Sequence, residues 1–318
     1  MPKHTETSSK SEKSTVDSFD LQQLPSRLIQ YPARPCKGRI TVTKDDLACL
    51  GEGMYLNDII VDFYLKYLLE GVGGAVAESS HVFSSFFYKQ LSRRQTASED
   101  AANFVSDRHM RHQRVKRWTR NVDIFKKDFL FVPVNQSSHW FLVVVCFPGL
   151  EAVQSEVRHR PAGGAERAGE NGAVTRTSQQ PPECTRRGCQ KDTVMKRPCI
   201  LVMDSLNLSS HEDVCKHLRD YLQVEWEVRK CTPRFFTQAT MPNITCRVGQ
   251  QDNGYDCGLY LLQYVESFLQ NPVLHFGPPI TLQSWFPRKQ VRQKREKIRR
   301  LILQMHREQQ KESDNQPL

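Results

Sequence analysis

Apolar residues in this chain follow two kinds of pattern, one repeating at helical spacing and one running continuously over short stretches. The helical pattern is clearest after Asn57-Asp58, a pair that suits the start of a helix. One face of that helix is apolar and comprises Ile60, Phe63, Tyr64, Tyr67 and Leu68. Similar spacing predicts a short helix from Thr43 to Leu50, helices at 82–91, 210–221 and 288–307, and one that starts near Cys257 and ends at Asn271-Pro272.

The continuous apolar stretches predict strands. They lie at 39–43, 199–205 and 224–228, with a pair of strands over 128–147 that a polar turn at 135–138 divides. Helices and strands interspersed in this order predict an α+β fold, a small mixed sheet flanked by helices.

Two kinds of segment lack enough apolar residues to pack. Residues 1–27 and 308–318 are polar, so we expect them to form disordered tails around a domain at 28–307. Residues 150–196 carry glycine pairs, Gln179-Gln180-Pro181-Pro182 and many charges between two apolar strands, and they predict a flexible surface insertion. A chain of 318 residues is long enough for one such domain with its tails.

The segment from Gln251 to Gly258, Gln-Asp-Asn-Gly-Tyr-Asp-Cys-Gly, places a cysteine at the start of an apolar helix. The helix dipole favours a thiolate there, which makes Cys257 a candidate nucleophile. Gln251 lies six residues upstream, so its amide and the Cys257 backbone N–H can together donate to an oxyanion. We expect Asp256 to cap the helix and point away from the thiol. The alternative is a buried structural cysteine.

A cysteine nucleophile needs a base, and ten histidines are present. His139 is the best placed, because it starts the second strand of the predicted pair, where a sheet edge can hold it rigidly. The others lie near the termini, near helix ends, in basic or polar stretches or in the insertion. Asp204 ends another apolar strand and can orient the imidazole. The alternatives are a structural role for His139 and helix capping for Asp204.

Composition narrows the class of protein. No window of eighteen apolar residues and no signal-peptide core occurs, and the ten cysteines lack regular spacing, so we expect reduced thiols in the cytosol or nucleus. Zinc binding by Cys184, Cys189 and Cys199 is a weak alternative without a CxxC pair.

The net charge of +10 lies mostly in two basic stretches, at 108–120 and 288–300. They form solvated helix faces or attract an acidic protein partner, whereas no nucleic-acid-binding motif accompanies them.

These residues resemble the SUMO- or sentrin-specific branch of the ubiquitin-like-protein proteases. The resemblance rests on Tyr55-Leu56-Asn57-Asp58 with the six residues after it, His139-Trp140, Asp204-Ser205 and Gln251 through Gly258. It runs from about Leu28 to Met305. The sequence is most similar to the branch that contains sentrin-specific proteases six and seven, through Phe83 to Tyr88, Trp118 to Arg120 and Leu261 to Phe268.

The resemblance implies a papain-like cysteine protease fold and assigns roles residue by residue. His139 is then the base, Asp204 its orienter, Cys257 the nucleophile and Gln251 the oxyanion donor. It also implies that Trp140 covers a narrow channel for a Gly-Gly tail, and Tyr55 stands where many relatives have tryptophan. Core packing is the alternative for Trp140. No metal or cofactor is implied.

The implied reaction is removal of SUMO from lysine, with SUMO-2/3 and its chains as substrates of a monomeric nuclear enzyme. A proline-rich stretch at Tyr31 to Pro35 corresponds to a loop that contacts SUMO in the six and seven branch, although only two of the prolines are kept here. The alternatives are a protease for another modifier, such as the neddylation modifier, and a catalytically silent SUMO-binding module. An intact set of four site residues argues against the second.

Overall fold

The computed structural model describes residues 24–33, 36, 38–93, 106–157, 182–207 and 210–314, with side chains as far as residue 312. Residues 1–23 of the predicted first tail, 158–181 of the predicted insertion, and Arg34 and Pro35 of the proline-rich stretch lie outside the described residues. The first strand begins at Arg27, one residue before the predicted start of the domain.

The strands of the described chain are short, and only two of them reach eight residues. They are β1 Arg27–Tyr31, β2 Ile40–Thr43, β3 Ser80–Val82, β4 Phe129–Gln136, β5 His139–Cys146, β6 Gln154–Val157, β7 Thr193–Lys196, β8 Cys199–Met203, β9 Asn243–Thr245, β10 Arg247–Val248 and β11 Thr281–Leu282.

The α-helices of the described chain are interspersed with these strands. They are α1 Lys44–Ala48, α2 Asp58–Val72, α3 Gly74–Glu78, α4 Ser85–Leu91, α5 Asp107–Val115, α6 Glu212–Lys230, α7 Cys257–Gln270, α8 Arg288–Arg292 and α9 Lys294–Asp314. Two predicted caps are present, since the side chains of Thr43 and Asn57 accept hydrogen bonds from backbone N–H groups at the starts of α1 and α2.

The central sheet has five strands in the order β3-β4-β5-β8-β9, with parallel pairing at both edges and antiparallel pairing between. Alternate residues of β5 enter two different cores: Leu142 and Val144 pack on the side of α2 and α7, and Val143 and Val145 on the side of α4 and α6. Burial on both faces explains why the sequence of these strands is continuously apolar. The mixed α+β arrangement predicted from the sequence is the one observed.

One predicted strand is wrong. Residues 224–228 continue α6, which runs unbroken for 19 residues to Lys230. Its buried residues Leu218, Tyr221, Leu222 and Trp226 recur at helical spacing across the predicted boundary and pack in the core under the sheet. Packing of this face therefore outweighed the strand propensity of a few valine and tryptophan residues.

Two other boundaries differ from the prediction. The region 82–91 contains the end of β3 before α4, which starts after Ser84, whose hydroxyl donates to Asp62 at 2.6 Å. The basic stretch at 108–120, predicted only as a charge cluster, contains α5. His112 of this helix lies 2.5 Å from Glu225 of α6, and both are buried. That contact joins α5 to the body of the domain.

The C-terminal helix extends beyond its predicted end. Gln293 separates α8 from α9, and α9 continues to Asp314, so residues 308–314 are helical rather than part of the predicted tail. His306 donates from Nδ1 to the carbonyl oxygen of Leu28 at 2.7 Å, and the amide of Gln309 exchanges two hydrogen bonds with the backbone of Gln30. These contacts with β1 stabilise the last turns of the helix.

The ends of the predicted insertion are folded. Strands β6 and β7 pair antiparallel, so the two ends of the predicted insertion lie side by side. Residues after 182 pack against the domain: Thr185 forms a bridge with Val273, and Leu274 donates its backbone N–H to Cys184 at 2.8 Å. The prediction of a flexible segment over the whole of 150–196 is therefore wrong at both ends.

Candidate active site

Three elements converge at one edge of the central sheet. Strand β5 begins at His139, and β8 ends just before Asp204. Because β5 and β8 run antiparallel, the start of one lies beside the end of the other. The helix α7 begins at Cys257, which is buried and within interaction distance of His139. The tertiary structure thus brings together the three residues that the sequence analysis selected from distant positions.

His139 and Asp204 form a short contact of 2.6 Å between Nε2 and Oδ1. This leaves Nδ1 of His139 as the nitrogen available to the thiol of Cys257. Burial alone would lower the pKa of His139, but the hydrogen bonds with Asp204 and Cys257 outweigh it and raise the pKa to about 9. The imidazole is therefore strongly disposed to hold a proton beside the sulfur.

Asp204 is held from several directions. Burial would raise its pKa, but hydrogen bonding to His139, the interaction with His211 and the backbone N–H of Leu206, at 2.9 Å, keep that pKa well below its ordinary value. The carboxylate is only 1% exposed. It stays ionised at neutral pH and can stabilise a protonated His139.

The environment of Cys257 differs from the prediction in one respect. Asp256 occupies the N-cap position of α7, but its side chain makes no capping hydrogen bond. Its carboxylate points to Arg295 instead, at 2.8 Å, and accepts from the amide of Asn253 at 2.9 Å. The prediction that Asp256 caps the helix is wrong, and the guanidinium offsets the negative charge next to the thiol.

Gln251 is fixed by hydrogen bonds at both ends of its amide. The hydroxyl of Ser205 donates to Oε1 at 2.6 Å, and Nε2 donates to the backbone carbonyl oxygen of Asn253 at 2.6 Å. Because the Asn253 oxygen can only accept, the nitrogen must lie on that side, which settles the orientation of the amide. The described residues offer no hydrogen-bond acceptor to the second N–H of Nε2, so it can donate to a ligand.

The two predicted substrate-binding residues lie in different environments. Trp140 is 2% exposed and donates from its indole nitrogen to the carbonyl oxygen of Leu56 at 3.0 Å. A Cβ on Gly258 would lie 3.0 Å from the side chain of Leu56, so glycine allows the nucleophile helix to approach this segment. Tyr55 is 53% exposed.

The sequence analysis missed two side chains in this site. Ser205 was noted only as part of a motif, although its hydroxyl holds Gln251. His211 was among the histidines set aside because they lie near helix ends, yet its Nε2 lies 3.1 Å from Oδ2 of Asp204 in a buried position. A polar residue directly after a strand-end aspartate was the available signal for Ser205, whereas nothing in the pattern distinguished His211.

Comparison with known proteins agrees with this geometry. Residues 54–310 match the Ulp1 protease family, C-terminal catalytic domain. The chain is a member of the Ulp1 protease family. The family resemblance inferred from the motifs is therefore confirmed, as is the assignment to the cysteine proteases.

Relatives within the Ulp1 family include sentrin-specific proteases. Sentrin-specific protease 7 of Rattus norvegicus is 45% identical in an alignment 304 residues long, gaps included, which covers 91% of this chain and 29% of that protein. Sentrin-specific protease 6 of Mus musculus is 34% identical in an alignment 433 residues long, gaps included, which covers 90% of this chain and 38% of that protein. The chain thus spans about a third of the length of these relatives.

Solved structures of the Ulp1 family share the fold. The crystal structure of a de-sumoylating protease has a TM-score of 0.59 at 20% identity, covering 88% of this chain and 91% of its own. The C-terminal Ulp1 protease domain in complex with Smt3, the yeast orthologue of SUMO, has a TM-score of 0.54 at 19% identity, covering 95% and 99%. These likenesses confirm the predicted protease fold with a mixed sheet flanked by helices.

Two further features of the described chain concern metal ions and membranes. Within the described ranges, no group of three or more histidine, cysteine or acidic residues is arranged to hold a metal ion, and Cys184, Cys189 and Cys199 form no such group. None of the helices in the part of the chain that the structure describes has the length and apolar character needed to cross a bilayer.

Proposed function

We propose that this domain is a cysteine protease that removes SUMO from lysine side chains by hydrolysing the bond after the modifier's C-terminal Gly-Gly. The observation that supports this most directly is the contact of 2.6 Å between His139 and Asp204 beside a buried thiol at a helix N-terminus. Named relatives at 45% and 34% identity are sentrin-specific proteases, which supports SUMO as the modifier.

The first half of the proposed reaction forms a thioester. The Cys257 thiolate attacks the carbonyl carbon of the terminal glycine, and the carbonyl electron pair moves onto oxygen. The free N–H of Gln251 and the backbone N–H of Cys257 donate to that oxyanion. When it collapses, the C–N bond breaks and the leaving lysine amine takes the proton that His139 holds.

The second half returns the enzyme to its resting state. A water molecule loses a proton to His139 as its oxygen attacks the thioester carbon, and the C–S bond then breaks. The products are the modifier's C-terminal carboxylic acid, which loses its proton to solvent, and the Cys257 thiolate beside a protonated imidazole. The ionised Asp204 favours this ion pair by stabilising the imidazolium. Side chains and water suffice for every step of this sequence.

Selectivity for a Gly-Gly tail is proposed to come from Trp140. Its indole is fixed by the hydrogen bond to Leu56, which lies against Gly258 of the nucleophile helix. A channel roofed by a rigid indole admits residues without side chains and excludes larger ones. We propose Tyr55 as a second, exposed contact at this segment.

We also propose a substrate preference, an oligomeric state and a cellular location. The similarity to sentrin-specific proteases 6 and 7 supports SUMO-2/3 chains as the preferred substrate of a monomeric, nuclear enzyme. A net charge of +10 favours an acidic protein partner, and no nucleic-acid partner is proposed.

Activity-based probes test the proposal. The chain is incubated with SUMO-1, SUMO-2 and the neddylation modifier, each ending in a vinyl sulfone, and Cys257 adducts are identified by mass spectrometry. Labelling of Cys257 by the SUMO probes, lost in C257A, is expected. Labelling by the neddylation probe alone would assign the other modifier. Binding of SUMO-2 without any adduct would favour a silent binding module.

Cleavage of SUMO-2 chains provides the second measurement. The wild-type domain should convert di-SUMO-2 to monomers, whereas Cys257→Ser should bind the dimer without cleaving it. Equal rates for di-SUMO-2 and for a SUMO-1 conjugate would refute the proposed chain preference while leaving the reaction class intact.

A further inference from the structure

The carboxylate of Asp204 lies between two histidines. His139 contacts Oδ1 at 2.6 Å, and Nε2 of His211 lies 3.1 Å from Oδ2. Neither Oδ2 nor Nε2 of His211 has a hydrogen-bond partner elsewhere in the described chain, and both atoms are buried. The 3.1 Å contact is not aligned as a linear hydrogen bond. No hydrogen bond within the described chain competes with it at either atom.

His211 is held in place by its surroundings. The residue is 7% exposed, immediately precedes α6, and its carbonyl oxygen accepts from the backbone N–H of Cys215 at 3.1 Å. Its ring packs edge-on against Phe141, with ring centroids 4.4 Å apart. The ring of His139 stacks on the same phenylalanine, with ring centroids 6.1 Å apart. His211 therefore has little freedom to turn away from Asp204.

The positions of the two histidines give them different roles. Only His139 also interacts with Cys257. A carboxylate that is held at one oxygen alone can rotate about its Cβ–Cγ bond, because that terminal torsion is broad. We propose that His211 is a positioning residue whose Nε2–H holds Oδ2, so that Oδ1 stays directed at His139. The cleavage measurement below rests on the proposed protease function, whereas the measurement of the His139 pKa does not.

Several titratable groups face the carboxylate and enter the predicted pH dependence. They are His139 on β5, His211 before α6 and Tyr264 on α7, and Cys257 of α7 interacts with His139 in turn. On its own element His211 is followed by Glu212, which is paired with Arg219 at 2.8 Å, and by Asp213. Loss of His211 should therefore affect His139 through Asp204, rather than through its own helix.

The test replaces His211 with two residues. His211→Leu removes the donor, and His211→Gln places an amide nitrogen near the position of Nε2. The histidine ring signals are followed by NMR as the pH rises, so that the pKa of His139 is measured without substrate. His211→Leu should lower that pKa, because a less well-oriented carboxylate stabilises the imidazolium less. His211→Gln should restore it toward the wild-type value.

Cleavage of a fluorogenic SUMO-2 substrate gives the functional readout. His211→Leu should reduce kcat about tenfold with KM unchanged, close to the lower limit for a hydrogen bond to a charged group, because the contact is not linear. The alkaline fall of kcat/KM should move to lower pH. His217→Leu is the matched control, because His217 lies on α6, the helix that His211 precedes, and contacts Tyr88 at 3.2 Å instead of Asp204. It should leave the pKa of His139 unchanged.

Failure of the inference and failure of the proposed function give different results. An unchanged or raised pKa of His139 in His211→Leu would overturn the positioning role, and a raised value would mean that His211 competes for the carboxylate. If the pKa of His139 in His211→Gln were as low as in His211→Leu, the positioning role would be overturned as well. If His211→Leu lowered the pKa of His139 while the wild-type domain cleaved no SUMO-2 substrate, the positioning role would be supported and the proposed substrate rejected.

Discussion

Removing the hydroxyl of Ser205 should slow the chemical step without weakening substrate binding. The hydroxyl is buried and donates to Oε1 of Gln251 at 2.6 Å, and the Ser205 carbonyl oxygen accepts from the Gln251 backbone N–H at 3.1 Å. In Ser205→Ala the backbone contact survives, while Oε1 is left buried without its donor. The amide can then leave the orientation in which its second N–H is free for the oxyanion.

The size of the effect follows from two limits. Leaving one buried acceptor unsatisfied costs about 1–3 kcal/mol. Loss of a complete oxyanion donor costs about 2.7–4 kcal/mol, which sets the ceiling. At roughly 1.4 kcal/mol for each tenfold change, Ser205→Ala should lower kcat by about 5- to 150-fold, and Gln251→Ala by about 100- to 1,000-fold.

The assay is steady-state cleavage of a fluorogenic SUMO-2 substrate by the wild type, Ser205→Ala, Gln251→Ala and the double variant. Because Ser205 acts only through Gln251, the double variant should be no slower than Gln251→Ala alone. Ser205→Thr keeps a hydroxyl and should retain most of the activity, with thermal unfolding used to detect any crowding by the added methyl group.

Two results would refute this reasoning. If the losses of the single variants multiplied in the double variant, Ser205 and Gln251 would be acting independently. If Ser205→Ala raised KM and left kcat unchanged, the hydroxyl would contribute to binding rather than to stabilising the oxyanion.

Three further predictions follow from other contacts. Because the pKa of His139 is raised to about 9, the imidazolium is present below that pH and lost above it, so kcat/KM should fall as pH rises through about 9. Trp140→Ala should greatly raise KM for SUMO-2 substrates but leave iodoacetamide alkylation of Cys257 intact, as followed by mass spectrometry; equal loss of both would mean a folding defect. Glu266→Ala leaves the buried Lys294 without its partner and should lower the free energy of unfolding by about 3–5 kcal/mol in urea titrations. Lys294→Met should cost less, because Lys297 still pairs with Glu266 at 2.6 Å; an equal cost would contradict this account.

Local sequence patterns were sufficient for the elements that hold the site. The continuous apolar strands around His139 and before Asp204 have few alternatives, and the helix after Cys257 has a clear apolar periodicity and a proline stop. Patterns were insufficient where packing competes with propensity. Residues 224–228 are suited to a strand, but burial of one continuous face keeps them in α6. Residues 308–314 are polar, yet the contact between Gln309 and Gln30 continues the helix.

The sequence by itself determined the α+β class, the positions of the main strands and helices, and the residue types of a thiol protease in the order histidine, aspartate, cysteine. Only the tertiary structure decided which polar groups meet. The antiparallel pairing of β5 with β8 places His139 at 2.6 Å from Asp204, and the fold adds Ser205 behind Gln251 and His211 behind Asp204. Periodicity reports which face of an element is buried, whereas hydrogen-bond partners depend on how separate elements are placed relative to one another.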